Sequence, residues 1–264
     1  MRAKRRLGQN FLVDPNIQRK IVQAVEPGPE DAIIEVGPGQ GALTDHLART
    51  GARLLAIELD PDLAAELQRR YEQHDRVQVV HHDILDWDPI RLDAPGGLKV
   101  VGNIPYNITS PILFRLLEWR PAPERIIIMV QQEVADRILA SPGQKAYGAL
   151  TVGVQAQADA QRLFTVGRNA FRPVPAVEST VLRIRPRHDA RPGTGDPLRA
   201  LTRAAFGMRR KQLQKILRSS PEYRLDQPAA ERVLRELGLR PQDRPESLDP
   251  ETFVRLAAAL ERLR

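Results

Sequence analysis

The sequence has no cysteine. That excludes a disulfide framework and a thiol nucleophile, and it fits a reducing compartment. It shows no charged-then-apolar leader of the secretory kind, and no apolar run approaches the roughly 20 residues needed to cross a bilayer. A cytoplasmic protein that needs no membrane is the expectation. In that setting Asn107-Ile108-Thr109 is a chance match to the glycosylation sequon. No paired-carboxylate or Ser/His/Asp signature is visible. His81 and His82, adjacent on an expected strand, would face opposite sides of a sheet, so no metal centre is expected. Internal repeats and long low-complexity tracts are also missing.

What is present is enough for a folded core. A chain of 264 residues with 42% hydrophobic content suits one large domain plus a small one. The net charge of +7 is unevenly spread. Residues 1–10 hold four cations and no acid, residues 11–140 hold 13 Lys and Arg against 20 Asp and Glu, and residues 141–264 hold 23 against 13. Basic ends around an acidic middle point to a polyanion held by the ends and a small ligand in the middle. An Arg-rich solvated surface would produce the same totals, and charge alone does not separate the two.

The first two-thirds alternates strand-like and helical segments. Asp14-Pro15 and Asp60-Pro61 each read as an N-cap followed by proline at the first helical position, opening helices through Val25 and over 61–73. Helices are also expected over 42–50, near 109–119 and over 131–140. Short apolar runs at 32–37, 53–60, 76–83, 98–103 and 125–131 read as strands. Strands separated by helices of this size form parallel βαβ units, hence an α/β, Rossmann-like doubly wound sheet. After Ala149 the segments at 161–167 and 179–186 read as antiparallel edge strands. The Pro/Gly-rich stretch "RPRHDARPGTGDP" contains the expected linker, so the domains are 1–187, a linker at 188–196, and 197–264. The last part reads as helices only, at about 197–206, 208–219, 227–237 and 250–262.

Four strand ends carry candidate chemistry. "EVGPGQGA" ends the first, where Gly37 and Gly39 permit a tight turn and close approach of a ligand to the backbone. This run fits a nicotinamide site, an S-adenosylmethionine site or a structural turn alike. Glu58 ends the second strand, placed to accept both hydroxyls of a ribose. Asp83 ends the third, either as a turn cap or as an acceptor for the exocyclic amine of an adenine. Asn103 ends the fourth, in "GNIPYNITSP". Its side-chain carbonyl and the backbone carbonyl of Ile104, kept out of a helix by Pro105, make two acceptors in one place, with Tyr106 beside them. Such a pair can take both hydrogens of an exocyclic amine, drawing the nitrogen lone pair out of the ring while the tyrosine stacks on the base. A hydride-transfer enzyme has no use for this. An Asx turn with a core tyrosine is the alternative for this segment taken alone.

Taken together, "LGQNFL", "EVGPGQGALT", "IELD", "HHDIL", "GNIPYNITSPI", "KAYGALTV", "FRPVPAVEST" and "AFGMRRKQLQKIL" resemble the bacterial ribosomal RNA adenine dimethyltransferases over nearly the whole chain. The resemblance implies an S-adenosylmethionine-dependent methyltransferase sheet with a small all-helical C-terminal domain. It implies transfer of two methyl groups to N6 of each of two adjacent adenines, in a hairpin loop near the 3′ end of small-subunit ribosomal RNA. By the same resemblance Asn10, Leu12, Gly37, Gly39, Glu58, Asp83 and Asn103 contact the cofactor, and Asn103 through Tyr106 form the catalytic segment. The sequence departs from the family at Gln132, Ala176 and Met208. Arg5 and Arg6 in the basic arm, with Arg209, Arg210, Lys211 and Lys215 on an expected amphipathic helix over 208–219, are the candidate RNA phosphate contacts. A solvated helix face would carry the same charges. The implied partners are small-subunit ribosomal RNA and the small subunit or its precursor, with the chain acting as a monomer. Two rivals remain at this point: a large-subunit ribosomal RNA methylase of the antibiotic-resistance type, and a mainly non-catalytic ribosome-assembly factor.

Overall fold

Strands and helices alternate along the first half of the chain in a computed structural model that describes residues 9–88, 95–104, 108–187 and 195–263. The strands are β1 (Phe11–Leu12), β2 (Ala32–Val36), β3 (Arg53–Glu58), β4 (Val77–His81), β5 (Leu98–Asn103), β6 (Arg125–Gln131), β7 (Ala158–Val166), β8 (Phe171–Arg172) and β9 (Ser179–Pro186). The helices are α1 (Pro15–Val25), α2 (Thr44–Leu47), α3 (Pro61–Arg70), α4 (Thr109–Glu118) and α5 (Gln132–Leu139). After them come α6 (Ala149–Gln155), α7 (Asp196–Gly207), α8 (Leu213–Ser219), α9 (Gln227–Glu236) and α10 (Pro250–Glu261).

Seven strands form one sheet in the order β4-β3-β2-β5-β6-β9-β7. The first five are mutually parallel, and β9 runs antiparallel to β6. In β2 every residue is buried. Successive strand residues point to opposite faces, so both faces of this strand are covered and the run "AIIEV" carries no alternation. α1 and α3 start where the sequence says they should. Asp14 Oδ1 accepts from the backbone of Asn16 at 2.8 Å and Ile17 at 3.3 Å, and Asp60 Oδ1 accepts from Asp62 N at 3.1 Å. At the far end of the sheet Lys99 and Asp31 form a buried ion pair at 2.6 Å. Lys99 Nζ also donates to the Glu26 carbonyl at 2.6 Å, a second bond that helps offset desolvation.

The chain divides into two compact units, Met1–Ala135 with Ala160–Pro186, and Asp136–Asp159 with Arg187–Arg264. This revises the boundary read from sequence, since residues 136–159 group with the C-terminal helices rather than with the sheet. The cause is α6, a helix the sequence reading missed. Its residues Leu150–Val154 are all buried, so no polar face marks a helical period. Tyr147, just before it, donates to the Leu248 carbonyl at 2.6 Å and belongs to an apolar cluster with Leu198, Leu201, Phe253 and Leu256.

Three further expectations change. The segment 42–50 is split into the short α2 and a 3₁₀ turn at Ala48–Thr50, with Gly41 (φ +89°) before it and Gly51 (φ +81°) after it. The strand at 179–186 is interior, held between β6 and β7, and not an edge. The helix expected over 208–219 begins only at Leu213; residues 208–211 form a turn.

Candidate functional site

The order β4-β3-β2-β5 places Asp83, Glu58, Gly37 and Asn103 side by side at the C-terminal ends of four neighbouring strands. Three strand spacings separate the outer two, about 14 Å. β2 is the switch point from which the chain runs to β3 and β4 on one side and to β5 and β6 on the other, and ligands of open α/β sheets bind in the crevice there. A cavity with an empty volume of about 790 Å³ lies at this edge, walled by Asn10, Gly37, Glu58, Asp83, Asn103 and Ile104 among others.

The glycine turn is built for close approach. Gly37 (φ +65°) and Gly39 (φ +60°) both occupy the left-handed region, where a side chain is strained. Gly37 N donates to the Ile57 carbonyl at 2.9 Å, locking the turn onto β3. A Cβ at Gly37 would meet nothing within 4 Å, and one at Gly39 would lie 3.2 Å from the Phe11 ring. Gly37 therefore leaves room for a ligand, while Gly39 leaves room for Phe11.

Glu58 is 6% exposed. Its Oε2 accepts from Gly39 N at 2.9 Å and its Oε1 from Asp60 N at 2.8 Å. Burial pushes its pKa above the ordinary 4.5, and the backbone donors pull it back. The Leu59 backbone is a third such donor, and the carboxylate's remaining acceptor capacity is open to a ligand hydroxyl. Asp83 forms the turn that is one of its two sequence readings. Its Oδ1 accepts from Leu85 N at 2.9 Å as a turn, while no described residue donates to Oδ2.

At the end of β5, Asn103 Nδ2 donates to the Asn10 carbonyl at 2.9 Å. This fixes the amide with its NH₂ group occupied and Oδ1 without a donor among the described residues. Ile104 is buried, and its N–H extends the ladder to the Met129 carbonyl at 3.3 Å. Pro105 and Tyr106 lie outside the described residues, as do Arg5 and Arg6. Behind the glycine turn, Glu35 is fully buried and accepts from Thr44 Oγ1 at 2.7 Å. Burial pushes its pKa up to about 8, which leaves it protonated at neutral pH.

Leu12 occupies a different place from the other candidate cofactor residues. It is buried in the core of the sheet unit and does not wall the cavity that holds Glu58 and Asp83. It lines an adjacent cavity of about 830 Å³ that shares Phe11, Gly37, Gly39 and Asn103. Its neighbour Phe11 walls both. The sequence reading also missed the apolar wall of Ile57, Leu59, Ile84 and Ile112, for which the only signal was adjacency to the polar strand ends. Among the described residues no cluster of His, Asp or Glu is arranged to hold a metal, and no helix is long and apolar enough to cross a membrane.

In the helical unit the candidate cations separate. Arg209 turns inward: its Nε pairs with Glu246 at 2.6 Å, and its Nη1 and Nη2 donate to the carbonyls of Lys145 and Gln144 at 2.8 and 3.0 Å. Arg210, Lys211 and Lys215 are exposed and have no counter-ion among the described residues. They line an open cleft of about 1470 Å³ together with Arg218 and Arg244. Arg244, remote in sequence, was not anticipated.

The family model described as "Ribosomal RNA adenine dimethylase" matches residues 1–254. A curated relative from Geobacter metallireducens, "Ribosomal RNA small subunit methyltransferase A", is 42% identical, with 98% of this chain and 96% of that one covered. A relative of the same name from Thermosynechococcus vestitus is also 42% identical, over 100% of this chain and 98% of its own. Among solved structures, a dimethyladenosine transferase from Plasmodium falciparum superposes with a TM-score of 0.78 at 26% identity, covering 93% of this chain and 95% of its own. The 23S rRNA methyltransferase ErmE superposes with a TM-score of 0.68 at 29% identity, covering 96% of this chain and 100% of its own.

Proposed function

Because the chain belongs to the ribosomal RNA adenine dimethylase family, we propose that it dimethylates N6 of two adjacent adenosines in the 3′-terminal hairpin loop of 16S ribosomal RNA, using S-adenosylmethionine. It acts as a monomer in the cytoplasm, on the small ribosomal subunit or its precursor, and contributes to the biogenesis of that subunit. The observation that carries the chemistry is the Asn103 amide, held by the Asn10 carbonyl so that its oxygen is left to accept from a substrate amine.

The strand ends fit the cofactor. Glu58 can accept from the ribose, Asp83 Oδ2 is available for the adenine amine, and the space at Gly37 lets the ligand reach the backbone. When bound, S-adenosylmethionine supplies a methyl group already activated on a sulfonium, so the protein need not provide a strong base. The work of the chain is alignment and exclusion of water. In the first transfer Asn103 Oδ1 and the Ile104 carbonyl accept the two hydrogens of N6, which turns the nitrogen lone pair away from the ring; in the second, one hydrogen remains and one acceptor holds it. Each nitrogen–methyl bond forms as a sulfonium–methyl bond breaks, and the proton that N6 loses goes to solvent. Tyr106 stacks on the flipped base. The apolar wall of Ile57, Leu59, Ile84 and Ile112 keeps the reacting groups dry.

For the RNA, Arg210, Lys211, Lys215 and Arg244 on the cleft of the helical unit, with Arg5 and Arg6 of the arm, hold phosphates and read shape more than sequence. The likeness to the 23S rRNA methyltransferase ErmE keeps a large-subunit target in view. The near-full-length relatives at 42% identity, named for the small subunit, favour the small-subunit target. Incubation with labelled S-adenosylmethionine and either undermethylated small subunits or large subunits separates these. Label in small-subunit RNA is expected; label confined to large-subunit RNA overturns the assignment.

A further inference from the structure

Residues 9–13 form a strap that joins the end of β5 to the start of α3 and to β8. Gln9 Nε2 donates to Asp60 Oδ2 at 3.1 Å. β1 pairs antiparallel with β8 through Phe11 with Arg172 and Leu12 with Phe171, and Val13 N donates to the Ala170 carbonyl at 2.8 Å. Between these fastenings the Asn10 carbonyl meets Asn103 Nδ2 at 2.9 Å. One more fastening comes from α1. Gln18 Nε2 donates to the Leu12 carbonyl at 3.0 Å, and Gln18 Oε1 lies 3.3 Å from His46 Nε2. The Leu12 carbonyl can only accept, so it takes the NH₂ of Gln18 and leaves Oε1 facing His46, which can donate to it in the tautomer protonated at Nε2. Gln18 does not wall the cavity that contains Glu58 and Asp83, and lines only the adjoining one that shares Gly37, Gly39 and Asn103 with it.

We propose that Gln18 is a positioning residue for methyl transfer: it holds the Leu12 carbonyl, and so keeps the Asn10 carbonyl where it orients the Asn103 amide. The inference rests on the methyl-transfer reading and deepens it. An asparagine amide has nearly the same shape in its two flipped states, but one presents an acceptor and the other two donors. A carbonyl can only accept, so the Asn10 oxygen selects the state in which Asn103 keeps its NH₂ on the strap and offers Oδ1 to the substrate. That state accepts from an amine such as N6 of adenine. The flipped state would set donor against donor and would suit a ring carbonyl instead. The selection is only as good as the position of one backbone oxygen, on a strap whose strand is two residues long. Without Gln18 the Leu12 carbonyl loses its side-chain donor, and the short ladder to β8 holds that end alone.

The test compares Gln18→Ala and Gln18→Glu, neither of which can donate to Leu12 in its neutral-pH form, with Gln18→Lys, which can. Three quantities are measured: methyl transfer at saturating small subunits, the S-adenosylmethionine dissociation constant by calorimetry, and hydrogen exchange of the Asn103 side-chain amide by NMR. Small misplacements of a reacting group cost turnover steeply, so kcat should fall about tenfold in the Ala and Glu variants. Cofactor affinity should stay within about twofold, because Gln18 has no contact in the nucleoside cavity. The Asn103 amide should exchange faster in both, and Gln18→Lys should restore most of the rate and the protection. Should the Ala variant fail to fold, the Glu variant, equal in size, decides. Wild-type kcat or unchanged amide protection in that variant overturns the proposal, as does a loss that Lys does not relieve. Failure of the wild type to methylate small subunits would instead refute the assigned reaction, while the amide readout, which needs no RNA, would still decide this one.

Discussion

Asn103 shows how much of the chemistry rests on one side chain. Its oxygen is left for substrate because its nitrogen is held by Asn10, so truncation removes alignment rather than binding. We expect Asn103→Ala to abolish methyl transfer while weakening S-adenosylmethionine by at most about tenfold, since one amide hydrogen bond is worth only about 0.5–1.5 kcal/mol net. Turnover above roughly a tenth of wild type, about 1.4 kcal/mol in the barrier, would contradict the acceptor role; calorimetry and single-turnover assays supply both numbers. Glu35 gives a second residue-scale prediction, on stability. Its pKa rises from the ordinary 4.5 to about 8 in the fold because burial disfavours the charged form. Between those values the folded chain holds a proton that the unfolded chain has released. The contribution is therefore full below pH 4.5 and is lost as pH climbs through 8, at up to about 1.4 kcal/mol per pH unit. In Glu35→Gln this slope should disappear. Urea unfolding of both proteins at pH 5 and pH 8.5 measures it, and equal slopes would show that Glu35 titrates normally.

At the scale of elements, the sequence reading succeeded where one residue type has one physical reason. Asp14-Pro15 and Asp60-Pro61 both prove to be caps with proline in the first turn, because each signal is local. It failed where the reason lies elsewhere in the chain. α6 is buried over Leu150–Val154 and shows no polar face. Arg209 looks like one more cation in "MRRKQ", yet its partner Glu246 is far along the chain. The turn at 208–211 separates it from its neighbours, and that separation predicts different phenotypes. Arg209→Ala should lower the thermal stability of the helical unit, because Glu246 and two carbonyls lose their donor. Neutralising Arg210, Lys211 and Lys215 together should leave stability within about 0.5 kcal/mol, as for exposed surface positions. It should flatten the salt dependence of binding to small subunits by roughly 0.7–0.9 in log–log slope for each phosphate that is no longer neutralised. An unchanged slope in the triple variant would make these three residues an ordinary solvated surface.

For the whole molecule, the parallel sheet was legible because its inner strands are buried on both faces and read as short apolar runs between helices. Glu58 and Asn103 stood out for a related reason, each being the polar residue that closes a mainly apolar run, whereas Asp83 follows His81 and His82 and was singled out by its place after the third strand. The link between Asn10 and Asn103 could not be read, because it runs through a backbone carbonyl, which every residue has. The division into two units was only half visible, since Asp136–Asp159 joins the C-terminal helices across a stretch of sheet. Sheet unit and helical unit together carry the central claim, that one supplies methyl transfer to an exocyclic amine and the other a grip on RNA. The direct measurement is mass-spectrometric mapping of modified nucleotides in 16S ribosomal RNA after incubation of undermethylated small subunits with the protein and S-adenosylmethionine. The account predicts two adjacent N6,N6-dimethyladenosines in the 3′-terminal hairpin loop and no other new modification. Methylation at another base or another atom, or none under conditions where the cofactor is bound, would contradict it.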